Sequence, residues 1–212
     1  SYNEATSSKI KILYIETIKD PDRFLQHAGS LIRKGCKIAA IKSGTSAAGS
    51  RAASSHTGAL ASSDLAVEAL FRKAGIVRCH GREELTTVAS VLMHPELKSR
   101  RVAIITHAGG PAVMLTDALS EGGLEIPPLE GEAAAELLSK LSPGASVTNP
   151  IDMLATASSE QLGIVIDFCD QQFDNVDAIM VIFGTPGLTT VFDTYEVLHE
   201  KIQTCKKPIF AI

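Results

Sequence analysis

The sequence predicts an α/β protein, with parallel sheets flanked by helices. Three observations predict it. Apolar runs of four to seven residues, rich in Ile and Val, alternate with longer stretches of helical period, which is how βα units that build a parallel sheet are written. Residues that start and stop helices fall where that alternation needs them. A polar, proline-bearing segment, Pro95–Arg101, separates two such series and marks a linker.

In the first series Ile10–Ile15 reads as a strand, followed by a helix over Pro21–Lys34. Pro21 suits the first helical position, where its missing N–H would have no partner, Asp20 can cap the turn, and Gly35 is a natural stop. Lys37–Ile41 is a second strand, Ser63–Ala74 a helix, Ile76–Arg78 a short strand, and Glu83–Met93 a helix that ends before Pro95. The second series opens with strand Arg101–Thr106 and helix Pro111–Glu121. A short strand near Leu124–Ile126 and helices Gly131–Leu141 and Ser159–Asp170 come next, then strand Ala178–Phe183, helix Thr189–Gln203 and strand Pro208–Ile212. The expected domains are 1–97 and 98–212, each with a βα rhythm typical of flavodoxin-like units. A polar stretch directly before the first strand and an end inside the last one lead us to expect a segment of a longer protein, truncated on both sides.

Composition bounds the partners. With 45% hydrophobic and 21% charged residues among 212, the chain can bury sizeable cores. Its net charge of −4 gives no general attraction to nucleic acid or to an anionic membrane, so any anion site is local. No apolar run approaches the roughly 20 residues that span a bilayer, and no signal segment opens the sequence; the expected location is the cytoplasm. Cys36, Cys79, Cys169 and Cys205 lack any CxxC pairing, which fits reduced thiols, and no metal site is expected.

The stretch from Lys42 to Ser63 consists of small side chains around one histidine, His56, and reads as a long loop. Its Gly, Ser and Thr residues let backbone N–H groups approach an anion, while Lys42 and Arg51 supply charge, so phosphate is a fitting guest. A flexible surface loop has the same composition. His56 is either a hydrogen-bonded imidazole or a nucleophile, and a nucleophile needs a carboxylate to hold its other ring nitrogen. Glu16, at the C-terminal end of the first strand, is placed for that task; a solvated loop carboxylate is the plainer alternative. A second candidate anion site lies where strand Arg101–Thr106 runs through His107-Ala108-Gly109-Gly110-Pro111 into a helix N-terminus. A third constellation, Ser146-Val-Thr-Asn149-Pro150-Ile151-Asp152, ends in a turn-prone pair and a carboxylate.

Taken together, Ser55-His56-Thr57-Gly58-Ala59-Leu60-Ala61, Ile12–Glu16 with Asp20-Pro21, Thr106-His107-Ala108-Gly109-Gly110-Pro111 and Thr148-Asn149-Pro150-Ile151-Asp152 resemble the ADP-forming acetyl-CoA synthetases, NDP-forming acyl-CoA synthetases of the succinyl-CoA synthetase superfamily. The resemblance covers nearly the whole chain and implies two flavodoxin-like ligase domains. It implies that His56 is phosphorylated and that Glu16 holds its imidazole. Thr57, Gly58, Gly109 and Gly110 would bind phosphate, with Asn149 and Asp152 in support. The parent protein would use ATP or ADP, Mg²⁺ and CoA to interconvert acyl-CoA, ADP and phosphate with carboxylic acid, ATP and CoA through an acyl phosphate. A CoA-binding domain and an ATP-grasp module, in the same chain or a partner subunit, would complete an oligomeric assembly; no cofactor is assigned to these 212 residues themselves. Relatives often carry asparagine where His107 stands, and the SxSG-type turn of a preceding βα unit is not found here. The alternatives are a regulatory ligase-like region of a protein acyltransferase and a non-catalytic flavodoxin-like binding module.

Overall fold

The computed structural model describes residues 7–57, 62–184 and 191–212; for His56 and Thr57 it describes the backbone alone. The chain divides into two compact units, Ser1–Pro95 and Glu96–Ile212.

In the first unit β1 (Ile10–Ile15), β2 (Lys37–Lys42) and β3 (Val77–Cys79) form a parallel sheet in that order. Between them run α1 (Pro21–Arg33), α2 (Ala47–Thr57) and α3 (Asp64–Ala74), and α4 (Arg82–Leu92) follows β3. Asp20 caps α1 by accepting from the Arg23 amide at 2.9 Å, with Pro21 in the first turn. Gly35, at φ 79, stops the helix in a left-handed conformation that a Cβ disfavours, its N–H reaching the Ile32 carbonyl at 2.9 Å. Alternation along the strands sorts the core into two layers. Leu13, Ile15, Ile38 and Ala40 meet Phe24, Val67 and Phe71 from α1 and α3, while Ala39, Ile41 and Cys79 meet Leu85, Val88 and Leu92 of α4.

The second unit contains β4 (Val102–Thr106), α5 (Gly109–Glu121), α6 (Glu132–Ser139), β5 (Ile151–Asp152), α7 (Ser159–Gln171), β6 (Ala178–Ile182), α8 (Phe192–Thr204) and β7 (Ile209–Ala211). Its sheet is parallel in the order β5-β4-β6-β7, the doubly wound arrangement of flavodoxin-like folds. All five residues of β4 are buried, as a strand covered on both faces requires. Ala103, Ile105, Ile179 and Val181 point to the layer of α7 and α8; Val102, Ile104, Ala178 and Met180 point to the layer of α5. Ser158 closes a capping box with Gln161 at the start of α7. The Lys201 ammonium pairs with both oxygens of Asp167 at 2.6 Å, fastening α8 to α7. Among the described residues, no helix is long and apolar enough to cross a membrane.

The expected α/β architecture is present, with local corrections. The stretch after Lys42 is not all loop: Ala47–Thr57 is helical. Its Ala and Arg residues have high helix propensity, and Ser46 caps it by accepting from the Gly49 amide at 3.0 Å. The expected strand at Leu124–Ile126 is a single bridge, Arg101 to Glu125, and an unexpected short strand forms at Ile151–Asp152.

Candidate functional site

Glu16 follows β1 at the C-terminal end of the first sheet, half-buried, and accepts from the Tyr14 hydroxyl at 3.3 Å. Ile15 lies level with Lys42 in the β1–β2 register, so the histidine-bearing segment departs beside it. The Ser43 amide donates to the Ile15 carbonyl at 3.0 Å. At the far end of the segment the Ser62 hydroxyl accepts from the Ile18 amide at 2.9 Å. Both ends of residues 43–62 are thus fixed to the turn that Glu16 begins. Lys42 is buried rather than displayed, its ammonium directed at the Ser43 carbonyl, whereas Arg51 on α2 is exposed. His56 and Thr57 form the end of α2, with side chains outside the described residues, and Gly58 lies outside them altogether.

In the second unit the predicted turn between β4 and α5 is present. The Thr106 hydroxyl accepts from the Ala108 amide and donates to the Ala108 carbonyl, both at 3.0 Å, closing the turn on itself. Ala108 is the N-cap residue and has no side-chain acceptor to offer the first-turn N–H groups. Gly109 and Gly110 are exposed there, at the positive end of a 13-residue helix, where an anion is favoured.

Asn149 and Asp152 come to this turn by different routes. Asn149, at φ 67 before a cis Asn149–Pro150 bond, directs its carboxamide at backbone. Oδ1 accepts from the Ile104 amide at 2.9 Å, and Nδ2 donates to the carbonyls of Val102 at 3.0 Å and Pro127 at 2.8 Å. The carboxamide therefore serves as a substitute strand beside the part of β4 that β5 is too short to reach. Glu125 covers the next stretch, taking the Val102 amide on its carbonyl at 2.8 Å. Asp152 ends β5 level with Thr106. Its Oδ1 accepts from the Leu154 amide at 2.9 Å, and its Oδ2 would lie 3.1 Å from a Cβ on Gly109. The structure thus brings Gly109 and Asp152 together at the head of α5.

Two contacts were not legible in the sequence. His107 bridges strand ends: Nε2 lies 3.0 Å from the Gly184 carbonyl and 3.3 Å from its amide, with the ring tilted at 53° against that of Phe183, centroids 5.2 Å apart. A cleft also opens between the ends of β4 and β6, lined by Ile105, Thr106 and His107 on one side and Val181 to Phe183 on the other. Its lining comes from four separate segments, of which only Thr106–His107 belongs to a motif read in the sequence.

Comparison with known proteins shows what the sequence and the fold are similar to. Residues 2–92 match the model of the succinyl-CoA ligase like flavodoxin domain. The alpha subunit of acetate–CoA ligase [ADP-forming] II from Pyrococcus furiosus is 39% identical over 183 residues, 86% of this chain and 40% of that subunit. The 4-hydroxybutyrate–CoA ligase [ADP-forming] of Nitrosopumilus maritimus is 31% identical over 207 residues, 96% of this chain and 29% of the relative. The dinucleotide forming acetyl-coenzyme A synthetase 1 of Ca. Korarchaeum cryptofilum, solved in complex with phosphate and ADP, superposes with a TM-score of 0.83 at 25% identity, over 95% of this chain and 44% of that one. The chain spans less than half the length of each of these three proteins.

Proposed function

This chain belongs to the ADP-forming acyl-CoA synthetase family, and from that premise we propose that it is the phosphoryl-carrying part of an acid–thiol ligase that interconverts acyl-CoA, ADP and phosphate with carboxylic acid, ATP and CoA. Phosphate attacks the acyl-CoA carbonyl, the C–S bond breaks, and acyl phosphate and CoA result. An imidazole nitrogen of His56 then takes the phosphoryl group and releases the carboxylate. The phosphohistidine passes the group to ADP, forming ATP. A positioned imidazole divides one difficult transfer into two in-line steps, and fixed N–H dipoles stabilise the charge on the moving oxygens.

Glu16 orients the His56 imidazole by accepting from its other ring nitrogen. Thr57 and Gly58 bind phosphate on the His56 segment of the first unit, and the α5 turn at Gly109–Gly110 binds phosphate in the second. Nucleotide with Mg²⁺ and CoA bind to an ATP-grasp module and a CoA-binding domain, carried in the same chain or on a partner subunit of a cytoplasmic oligomer. The observation that carries this reading is the double attachment of residues 43–62, at Ser43–Ile15 and Ser62–Ile18, which returns both ends of the His56 segment to the turn that Glu16 opens.

The test is phosphorylation. The complete protein is incubated with labelled ATP and Mg²⁺, and acid-labile, alkali-stable phosphate is mapped by peptide mass. Label on the peptide that holds His56 is the expected result; folded, nucleotide-binding protein that takes up no label refutes the reading.

A further inference from the structure

We propose that Lys42, with the hydroxyl of Ser43 beside it, binds the phosphoryl group that the His56 segment carries, an assignment that rests on the reading of His56 as the phosphoryl carrier. Burial is the first argument. Lys42 and Thr106 are the buried polar residues among those described, and Thr106 is satisfied within its own turn. Lys42 is 4% exposed, and its ammonium meets the carbonyl of Ser43 and no carboxylate among the described residues. The lysines that serve the fold are better provided. Lys201 holds both oxygens of Asp167, Lys207 the carbonyls of Cys169 and Phe173, and Lys37 those of Leu92 and His94. A lysine is seldom buried unless it is paired, because an ammonium stripped of water and left uncompensated is costly.

The hydroxyls of the same segment are the second. Among the described residues, the buried hydroxyl oxygens without a partner are those of Ser43 and Ser54. Both lie in the segment that leaves β2 at Lys42, and Ser54 stands with Ser50 and Ala53 on the half-buried side of α2, away from exposed Arg51 and Ser55. Native proteins leave few buried polar groups unmet. An uncompensated ammonium and two unmet hydroxyls in one stretch of chain point to a partner that the chain itself does not supply.

The sign of that partner is the third. Residues 42–63 contain neither Asp nor Glu, although the whole chain has a net charge of −4. An ammonium and hydroxyl donors suit phosphoryl oxygens, which they meet through charge-assisted hydrogen bonds. Gly44, at φ 69, turns the chain so that the first turn of α2 comes back upon it: a Cβ on Gly49 would stand 3.4 Å from the Gly44 Cα. The segment that bears His56 therefore starts folded over the end of β2, where Lys42 is enclosed.

Position relative to Glu16 is the fourth. Lys42 ends β2 level with Ile15, and alternation puts it on the face of Ile38 and Ala40, whereas Tyr14, whose hydroxyl reaches Glu16, faces the other way. The two charges stand on different sides of the sheet's rim and do not cancel. One is left to orient an imidazole and the other to hold phosphoryl oxygens, at the carboxyl ends of parallel strands where α/β sheets gather such groups.

In the complete protein, acid-labile label at His56 is measured at equilibrium with a fixed ratio of ATP to ADP in wild type, Lys42→Met, Lys42→Arg and Ser43→Ala. Thermal unfolding of the unlabelled proteins and the KM for inorganic phosphate are measured alongside. The expected result is label about tenfold lower in Lys42→Met, restored to within about threefold of wild type in Lys42→Arg, and about two- to fivefold lower in Ser43→Ala. Unlabelled Lys42→Met and Ser43→Ala should unfold at or above the wild-type temperature, because each substitution removes an unmet buried group. Wild-type label in folded Lys42→Met overturns the assignment and leaves the phosphohistidine reading standing; if that variant does not fold, wild-type label in Ser43→Ala does the same. Label lost equally from Lys42→Met and Lys42→Arg, in proteins that unfold earlier than wild type, overturns it in favour of a packing role. Normal label with a raised KM for phosphate overturns it in favour of a site for free phosphate. Wild-type protein that folds, binds nucleotide and takes up no label overturns both readings.

Discussion

Gly109 and Asp152 meet so closely at the head of α5 that a Cβ on the glycine would stand 3.1 Å from the aspartate's Oδ2, while a Cβ on Gly110 would meet no other described part of the chain, beyond its own helix, within 4 Å. The neighbouring glycines therefore answer differently to alanine. Gly109→Ala pushes a carboxylate whose other oxygen is already committed to Leu154, and lowers stability by about 1 kcal/mol. Gly110→Ala leaves stability unchanged or raises it by up to about 1 kcal/mol, yet places a methyl group in front of the proposed phosphate cradle. Its KM for phosphate should rise about tenfold, equivalent to about 1.4 kcal/mol of lost binding. Thermal unfolding and phosphate-dependent initial rates read the two effects separately; wild-type phosphate dependence in Gly110→Ala would remove Gly110 from the cradle.

Asn149 is expected to matter for folding before chemistry. Asn149→Ala strips partners from the Ile104 amide and from the Val102 and Pro127 carbonyls, and it puts a Cβ residue without a local hydrogen bond at φ 67. The predicted cost is about 2–4 kcal/mol in urea unfolding, given the penalty for buried unsatisfied groups. A loss below about 0.5 kcal/mol, the range of ordinary surface substitutions, would mean that water replaces the carboxamide.

Asp177 should tie stability to acid pH. The Arg101 guanidinium, 2.8 Å away, and the Ser99 hydroxyl hold its carboxyl below the ordinary range. A depressed folded-state pKa gives stability that is present above the unfolded value of about 3.9 and disappears as pH falls through the lower folded value. Wild type should exceed Asp177→Asn by about 1 kcal/mol at pH 7, as for a well-made surface pair, with the gap closing as pH falls below the ordinary carboxylate range. Parallel stability curves over that window would show that the ion pair contributes nothing.

The thiols should be quiet. Burial pushes Cys169 up to about 12, and Cys205 is raised to about 11, chiefly by burial and then by the charges of Asp170 and Asp167. At pH 8 almost no thiolate exists at either position, and the thiolate is the reactive species. Labelling with a thiol reagent should leave both untouched until denaturant is added, which peptide mass mapping can follow.

In the catalytic assignment, His56→Asn should abolish ATP formation from acyl-CoA, ADP and phosphate. Glu16→Gln should slow phosphorylation without unfolding the first unit, and Tyr14→Phe, which removes only the 3.3 Å contact to Glu16, should slow it about two- to threefold. Quenched-flow labelling from ATP measures all three; wild-type rates in the first two would end the phosphohistidine mechanism.

The parts of the fold that were legible in the sequence are those in which a periodic apolar pattern spans several residues. Strand Ile10–Ile15, helix Pro21–Arg33 and the buried run Val102–Thr106 each show a full period and carry a cap or a glycine stop nearby. Helix α2 was not legible because Ala, Gly and Ser give it no apolar stripe, and its Ser46 cap looks like any other serine of a flexible stretch. A two-residue strand at Ile151–Asp152 has no period to detect. The site divides in the same way. Gly109 and Asp152 were each visible as a local turn, but their meeting depends on β5 lying against β4, and the strand-like role of Asn149 depends on how far β5 fails to extend. The cleft depends on residues far apart in sequence that share only the level at which their strands end.

The attachments at Ser43–Ile15 and Ser62–Ile18 make residues 43–62 a closed excursion of the chain, which leaves the end of β2 and comes back to the turn after β1. Closure entropy grows slowly with length, by roughly 0.6 kcal/mol for each doubling. Residues added or removed between the two attachments would therefore leave the sheet of the first unit almost undisturbed, so the fold beneath places little constraint on how long this segment is.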